Sequence, residues 1–118
     1  MKSNRKIGEI GERIAAEYLA GKGLKIVARN WHYKHKEIDI IARDGDRLVI
    51  VEVKLRFNDE YGHPRDFVSM QKQRYLIEAA EAYLDTIQDA PEVRFDIIAI
   101  LGNEENHILE HIDDAFNP

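Results

Sequence analysis

Apolar residues recur along this chain with two different spacings, and the spacing predicts which segments are helices and which are strands. Between residues 5 and 21 they recur every three or four positions, which is typical of an amphipathic helix. The apolar stripe of this segment contains Ile7, Ile10, Ile14 and Tyr18, with Gly11 and Ala15 beside them. Gly21 and Gly23 follow directly, and glycine is the usual residue after the end of a helix.

A second helical pattern begins after Ser69, a residue type that commonly caps a helix N-terminus. We expect this helix to run to about Gln88. Its buried face is predicted to contain Leu76, Ala79, Ala80, Tyr83 and Ile87. Pro91 then separates the helix from the next apolar segment.

Strands are predicted where apolar and β-branched residues form short runs. Four such runs are present, at residues 24–28, 37–43, 47–54 and 93–101. The polar and aromatic residues 29–36 are predicted as a strand end and loop, and residues 56–68, which contain Gly62 and Pro64, as a loop. A further edge strand at "HILEHI", residues 107–112, is left open.

The resulting order is α-β-β-β-α-β, with the edge strand as an optional seventh element. This order predicts an α/β fold in which helices pack on a mixed sheet. A chain of 118 residues suits one domain, over residues 1–118, with a hydrophobic core of its own.

The predicted hairpin around Asp44-Gly45 is unusual because charged residues interrupt its apolar strands. Asp39 lies on the first strand, and Glu52 and Lys54 lie on the second. A two-residue loop would make Asp39 and Glu52 diagonal neighbours on one face of the sheet. A four-residue loop would place them directly opposite each other, and only an odd-length loop would send them to opposite faces.

Two carboxylates held this close repel each other and need a nearby cation. Lys54 supplies one positive charge, and a divalent metal ion would supply more. The chain has no cysteine, and oxygen ligands favour Mg²⁺ or Mn²⁺ over Zn²⁺. Such an ion suits phosphodiester hydrolysis, with Lys54 near the attacking water. The alternative is an ordinary solvated face at the sheet margin.

The distribution of charge changes what the net charge of -5 implies. Residues 1–75 contain 16 lysines and arginines against 11 acids, whereas residues 76–118 contain only Arg94 against 11 acids. We therefore expect the first two-thirds of the chain to attract a polyanion such as nucleic acid. No apolar run approaches the roughly 18 residues of a membrane span, so no membrane partner and a cytoplasmic location are expected.

Several segments resemble the YraN family of small bacterial proteins. They are "EIDIIARDG", "VIVEVKLR" and "RFDIIAI", preceded by "GERIAAEYLAGKGLKIVARNW". The resemblance runs over nearly the whole chain. It implies a restriction-endonuclease-like domain of the PD-(D/E)xK superfamily, related to Holliday-junction resolvases. The implied activity is metal-dependent cleavage of DNA, with branched or structured DNA as a candidate substrate.

The resemblance also implies roles for individual residues. Asp39 and Glu52 would bind Mg²⁺ or Mn²⁺ together with the Val53 carbonyl, and Lys54 would assist catalysis. Related resolvases use a glutamate four residues after a glycine on the first helix, which matches Glu12 here. The family usually has glycine immediately before the Glu-Ile-Asp segment, and this chain has Lys36 instead.

Three basic residues are expected to contact nucleic acid. Lys36, beside the Glu-Ile-Asp segment, would either add a phosphate contact or change the backbone of the loop. Arg56 continues the alternation of Glu52 and Lys54 and would either contact the scissile region or be an ordinary surface arginine. Lys72, in the first turn of the second helix, would either reach the active end of the sheet or simply extend its ammonium to solvent. Two other functions stay open, a non-catalytic nucleic-acid-binding module and a protein-interaction adaptor that uses the acidic C-terminal third. Related resolvases act as dimers, so a homodimer is also left open.

Overall fold

Two helices and five strands make up the part of the chain that the computed structural model describes, residues 4–57 and 63–118. The helices are α1 (Asn4–Gly21) and α2 (Met70–Leu84), and a short 3₁₀ helix (Pro64–Phe67) precedes α2. The strands are β1 (Lys25–Tyr33), β2 (Lys36–Asp44), β3 (Arg47–Arg56), β4 (Val93–Gly102) and β5 (His107–Phe116). The predicted α-β-β-β-α-β order is confirmed, and the optional edge strand is β5.

The five strands form one mixed sheet in the order β1-β2-β3-β4-β5. Neighbouring strands are antiparallel except for β3 and β4, which are parallel. A parallel pair needs a long crossover, and α2 lies within that connection. The α/β fold with a mixed sheet is therefore confirmed.

The two helices cover opposite faces of the sheet, and each face has its own hydrophobic cluster. On the α1 face, the buried residues are Ala15, Leu19, Ile40, Ala42, Val49, Val51, Ile98 and Ile100. On the α2 face, they include Ile38, Ile41, Leu48, Ile50, Leu76, Ala79, Ala80, Tyr83, Phe95 and Ile97. Adjacent residues of β3 and β4 alternate between the two clusters, because successive strand side chains point to opposite faces.

Several predicted element ends differ from the structure, and β5 continues to Phe116, four residues beyond the predicted edge strand. β1 continues to Tyr33, so most of the predicted strand end and loop at residues 29–36 is strand, and the turn is limited to Lys34 and His35. As the outermost strand, β1 tolerates polar side chains that face solvent. α2 ends at Leu84, four residues early, because the Thr86 hydroxyl donates to the Tyr83 carbonyl at 2.6 Å and competes with the helical hydrogen bonds. The predicted cap is confirmed, since Ser69 Oγ accepts a hydrogen bond from the Lys72 N–H at 3.1 Å.

The β2–β3 turn is formed by Gly45 and Asp46, not by Asp44 and Gly45 as predicted. Asp44 pairs with Arg47, and Gly45 has φ of 60°, a left-handed conformation that glycine adopts easily. This register is the one that the four-residue alternative gave. The two strands are otherwise slightly longer than predicted. Within the predicted loop 56–68, the 3₁₀ helix begins at Pro64, whereas Gly62 lies outside the described residues.

Both outer strands are irregular. β1 has a register shift between Ile26 and Ala28, and its Asn30 has a φ of 52°. The β4–β5 pairing shifts between Phe95 and Ile97, and Asp114 of β5 has a φ of 51°. Neither α1 nor α2 combines the length and hydropathy of a membrane-spanning helix, in the part of the chain that the structure describes.

Candidate active site

β2 and β3 stop pairing at Ile40 and Val51, and we call the opening beyond this pair the fork. One further pair in the same register would set Asp39 opposite Glu52. Instead, Asp39 Oδ2 accepts a hydrogen bond from the Val53 N–H at 2.8 Å. The side chain of Asp39 therefore lies in the fork and bridges the two strands.

Asp39 also marks the point at which β2 side chains change faces of the sheet. Ile40 belongs to the cluster on the α1 face, whereas Ile38 belongs to the cluster on the α2 face. A strictly alternating strand would put both isoleucines on one face. On the neighbouring β1, Asn30 lies opposite Asp39, between the paired residues Arg29 and Trp31, and it has a positive φ. Because of this irregularity, Asp39 lies close to carboxylates from both faces, those of Glu12 and Glu52.

Three acids meet at the fork and form what we call the acid cluster. One carboxylate oxygen from each of Glu12, Glu37 and Asp39 lies within 4.8 Å of the others. Glu12 comes from α1, which lies against Val53 and Leu55 of β3 at Gly11. Glu12 Oε1 is buried without a hydrogen-bond partner, alone in this respect among the side-chain atoms of the described residues. A buried oxygen of this kind is normally satisfied by a donor or a cation.

Glu52 lies beside the acid cluster, on its α2 side. Its side chain is only 4% exposed, and its Oε2 lies 3.2 Å from Lys54 Nζ and 3.7 Å from Lys72 Nζ. Its carboxyl group is also within hydrogen-bonding reach of Asp39. The predicted pair of Asp39 and Glu52 therefore does come together. Among the described acids, however, the tight group of three contains Glu37 in place of Glu52.

The crowding of acids changes their protonation. Burial, and then the charge of Glu52 together with a shared hydrogen bond, raises the pKa of Asp39 from 3.8 to about 8. The Val53 N–H acts in the opposite direction but does not cancel this effect. Burial also raises the pKa of Glu12, although the nearby Arg29 charge and a hydrogen bond to Asn30 partly oppose it. Asp39 and Glu12 therefore hold their protons more tightly than ordinary carboxyl groups do, and a bound cation would favour their ionised forms.

The acid cluster suits a hard divalent cation. Its donors are all oxygens, and one of them, Glu12 Oε1, has no partner of its own. Carboxylate oxygens with no thiolate nearby are the ligands typical of Mg²⁺ and Mn²⁺. Two of the three acids, Glu12 and Asp39, line a cavity of about 260 Å³. Its lining residues are Ile7, Gly8, Gly11, Glu12, Asp39, Val53, Lys54, Leu55 and Arg56.

The predicted basic residues occupy different positions around the site. Lys54 and Arg56 line the cavity, and the Arg56 guanidinium lies 5.1 Å from the centre of the Phe67 ring. Lys72 reaches Glu52 from α2, as described above. Lys36 is farther out, with its Nζ 3.4 Å from Glu78 Oε2.

Sequence reasoning missed Glu37 and Tyr75. A signal for Glu37 was present, because it lies two residues before Asp39, a spacing that puts two side chains on the same face of a regular strand. Tyr75 gave no such signal. Its hydroxyl accepts a hydrogen bond from the Glu37 N–H, a contact between residues 38 positions apart.

A second buried polar group lies near the β2–β3 turn, on the α1 face. Asp96, 1% exposed, accepts hydrogen bonds from Arg94 Nε at 2.9 Å and from the Asp114 N–H at 3.0 Å. It also lies 2.7 Å from His111 Nε2, and His111 Nδ1 lies 3.1 Å from the Tyr18 hydroxyl. Arg94 provides a positive charge beside the buried carboxylate of Asp96. Through His111 and Tyr18, the hydrogen bonds of this group connect β4, β5 and α1.

Comparison with known proteins gives a consistent family match. A family model described as "Uncharacterised protein family UPF0102" matches residues 11–100. A UPF0102 protein of Chlorobium limicola is 47% identical over 117 residues, covering 93% of this chain and 91% of the relative. UPF0102 proteins of Flavobacterium johnsoniae and Phocaeicola vulgatus are each 42% identical. The alignments cover 98% of this chain and 98% of the first, and 100% of this chain and 98% of the second.

Proposed function

This chain belongs to the Uncharacterised protein family UPF0102, and we propose that it is a metal-dependent nuclease that hydrolyses phosphodiester bonds in DNA. The observation that supports this most directly is the acid cluster. Three carboxylates converge within 4.8 Å, and the buried oxygen of one of them has no partner. A purely structural cluster of this kind would be destabilising, because like charges repel and buried charges lose their hydration.

In this proposal, Glu12, Glu37 and Asp39 hold Mg²⁺ or Mn²⁺, and Glu52 takes part through its contact with Asp39. A bound divalent ion would supply Lewis-acid chemistry, polarising a phosphate oxygen and making water more acidic. Val53 contributes its N–H to Asp39, which fixes the orientation of that carboxylate. The Val53 carbonyl would be a further ligand of the metal ion.

Lys54 and Glu52 form the second functional unit. The carboxylate of Glu52 restrains the Lys54 ammonium at 3.2 Å, at the edge of the cavity. From this position Lys54 donates hydrogen bonds to the phosphate oxygens as negative charge builds up on them. Water oxygen bonds to phosphorus and gives up a proton to solvent while one ester P–O bond breaks, and the leaving oxygen takes up a proton from solvent. The products are one strand end with a phosphate and one with a hydroxyl.

Basic side chains around the acids offset the charge of an approaching DNA backbone. Arg56 lines the same cavity as Lys54, and Lys72 lies on the α2 side of Glu52. These cations allow a polyanion to approach a site that is itself rich in carboxylates.

The proposed activity is tested by incubating the protein with linear, flapped and four-way DNA in Mg²⁺, Mn²⁺ or EDTA. We expect cleavage with either metal and none in EDTA. Asp39→Asn and Glu52→Gln should abolish cleavage while the protein stays folded. Glu81→Gln, which changes an exposed acid on α2, is the matched control and should cleave normally. Cleavage retained in both site variants would overturn the mechanism.

A non-catalytic nucleic-acid-binding module is the second candidate. It is favoured by a separate cavity of about 560 Å³ whose lining includes Lys36 and Arg74. Contacts made there do not require the acids. DNA binding that weakens steeply with salt, does not respond to Mg²⁺ and leads to no cleavage would support this candidate over the nuclease.

A further inference from the structure

Tyr75 on α2 makes contact with the acid cluster through the backbone. Its hydroxyl accepts a hydrogen bond from the N–H of Glu37, the first of the two β2 acids in the cluster. The same hydroxyl donates to the His35 carbonyl at 3.3 Å. His35 belongs to the β1–β2 turn, whose other residue, Lys34, has a φ of 55°. Tyr75 therefore fixes the point at which β2 leaves the turn and enters the site.

The ring of Tyr75 has a separate role, because two ammonium groups lie over it. Lys72 Nζ is 4.1 Å from the ring centre, and Lys36 Nζ is 5.6 Å from it. Lysine ammonium groups at such distances are attracted to an aromatic ring. Lys72 also reaches Glu52, so one side chain connects the ring of Tyr75 to the site.

The surface around this ring suits a phosphate group. Tyr75 lines the 560 Å³ cavity together with Lys36, Gln71, Arg74 and Glu78. Lys36 and Arg74 offer positive charge, and Gln71 offers an amide donor. Lys36 is paired with Glu78, an exposed acid whose side chain is 64% accessible, so a phosphate can compete for the ammonium in water.

We propose that Tyr75 is a positioning residue that joins the metal-binding acids to a second phosphate seat. Its hydroxyl sets the Glu37 backbone, and its ring holds Lys36 and Lys72 for a backbone phosphate next to the scissile one. This inference rests on the proposed nuclease function, and it names the surface that the DNA strand follows away from the cut.

Two substitutions separate the two roles. Tyr75→Phe keeps the ring and removes the hydroxyl, so it should weaken Mn²⁺ binding while leaving DNA affinity in EDTA within about twofold of the wild type. Tyr75→Leu removes both groups, so it should also weaken DNA binding by about tenfold. The slope of log affinity against log salt should become shallower by about one for each phosphate that the variant no longer binds.

The measurements do not depend on cleavage. Mn²⁺ affinity is measured by calorimetry on the full chain, and DNA affinity by fluorescence anisotropy with a labelled four-way junction in EDTA. Tyr33→Phe and Tyr33→Leu are matched controls, because Tyr33 also has a lysine, Lys34, over its ring at 5.3 Å. Both controls should bind Mn²⁺ and DNA like the wild type. Circular dichroism confirms that each variant is folded, and Tyr75→Phe alone still tests the hydroxyl if the leucine variant unfolds.

The outcomes distinguish this inference from the proposed function. If the wild type binds both Mn²⁺ and DNA, an unchanged Mn²⁺ affinity in Tyr75→Phe would overturn the role of the hydroxyl. A folded Tyr75→Leu with unchanged DNA affinity and salt slope would overturn the phosphate seat. A wild-type protein that binds neither Mn²⁺ nor DNA would overturn the nuclease proposal and this inference with it.

Discussion

The amide of Val53 donates its hydrogen bond to the side chain of Asp39, with 2.8 Å between Val53 N and Asp39 Oδ2, in place of a backbone carbonyl of β2. This contact is possible because β2 and β3 separate beyond Ile40 and Val51. It holds Asp39 where Glu12, Glu37 and Glu52 are close. The same contact thus orders the fork and brings acids together that repel one another.

The stability of the metal-free protein should fall as pH rises from about 4 to about 8. Folded Asp39 keeps its proton up to a pKa of about 8, whereas the unfolded chain loses it near 3.8. Because the folded state binds the extra proton throughout this window, each rise in pH favours unfolding. Urea denaturation in EDTA at a series of pH values measures the effect.

Asp39→Asn removes this titrating group, so the stability of the metal-free protein should depend less on pH. The asparagine oxygen can still accept from the Val53 N–H, so at pH 8 the variant should be more stable than the wild type by at least about 1 kcal/mol. Asp113→Asn, at an exposed position on β5, is the control and should keep the wild-type slope. A wild-type stability that rises over this window would contradict the assignment of the raised pKa to Asp39.

Glu37→Gln should weaken the stabilisation of the protein by Mn²⁺. At a Mn²⁺ concentration ten times Kd, the free energy of unfolding of the wild type should rise by about 1.4 kcal/mol. Most of this gain should disappear in Glu37→Gln and in Glu12→Gln, because each variant removes one charged ligand of the acid cluster. Thermal unfolding with and without Mn²⁺ measures it, and Glu81→Gln should respond like the wild type. An unchanged response in Glu37→Gln would exclude that residue as a ligand.

Lys54 and Lys72 should be strongly coupled, because both ammonium groups offset the buried charge of Glu52. Lys54→Met and Lys72→Met each leave one cation beside Glu52, whereas the double variant leaves none. The double variant should therefore lose about 3 kcal/mol more free energy of unfolding than the sum of the losses in the two single variants. Urea denaturation of the four proteins gives the coupling energy. In a Glu52→Gln background the coupling should vanish, and coupling that persists there would point to a contact other than Glu52.

Asp96→Asn should destabilise the protein by about 3 kcal/mol and leave Mn²⁺ binding unchanged. Burial alone would raise the pKa of Asp96, but hydrogen bonds from His111 and Arg94 hold it below its ordinary value. Its contribution is therefore present above pH 4 and is lost as the pH falls through the lowered pKa. Denaturation at pH 7 and at acid pH measures the change in stability, and calorimetry measures whether Mn²⁺ affinity changes. A folded Asp96→Asn protein that loses Mn²⁺ binding would show that the Asp96 group and the acid cluster are linked.

Much of the fold followed from local patterns. The spacing of Ile7, Ile10 and Ile14 predicted α1, and the apolar run of β4 predicted a covered strand. Ser69 was predicted as a cap from its residue type, and this was possible because the partner of its hydroxyl, the Lys72 N–H, is only three residues away in the sequence. Element ends were less predictable, since the early end of α2 depends on the competing Thr86 hydroxyl.

The candidate site was only partly visible in the sequence, because its geometry is set by irregular backbone. Alternation placed Asp39 and Glu52 on one face only if the turn had an even number of residues, and the structure brings them together. Alternation alone could not show that β2 changes faces at Asp39, opposite the left-handed Asn30. Glu12 was expected at the site only through the family resemblance, and the contact of Tyr75 with Glu37 had no signal in the sequence.

The irregular outer strands have a consequence for self-association. An edge strand can recruit the edge of another molecule only if its free N–H and C=O groups form a straight row. The bulge and left-handed Asn30 on β1, and the register shift and left-handed Asp114 on β5, interrupt that row on both sides. The sheet therefore resists runaway strand addition and the aggregation that follows from it.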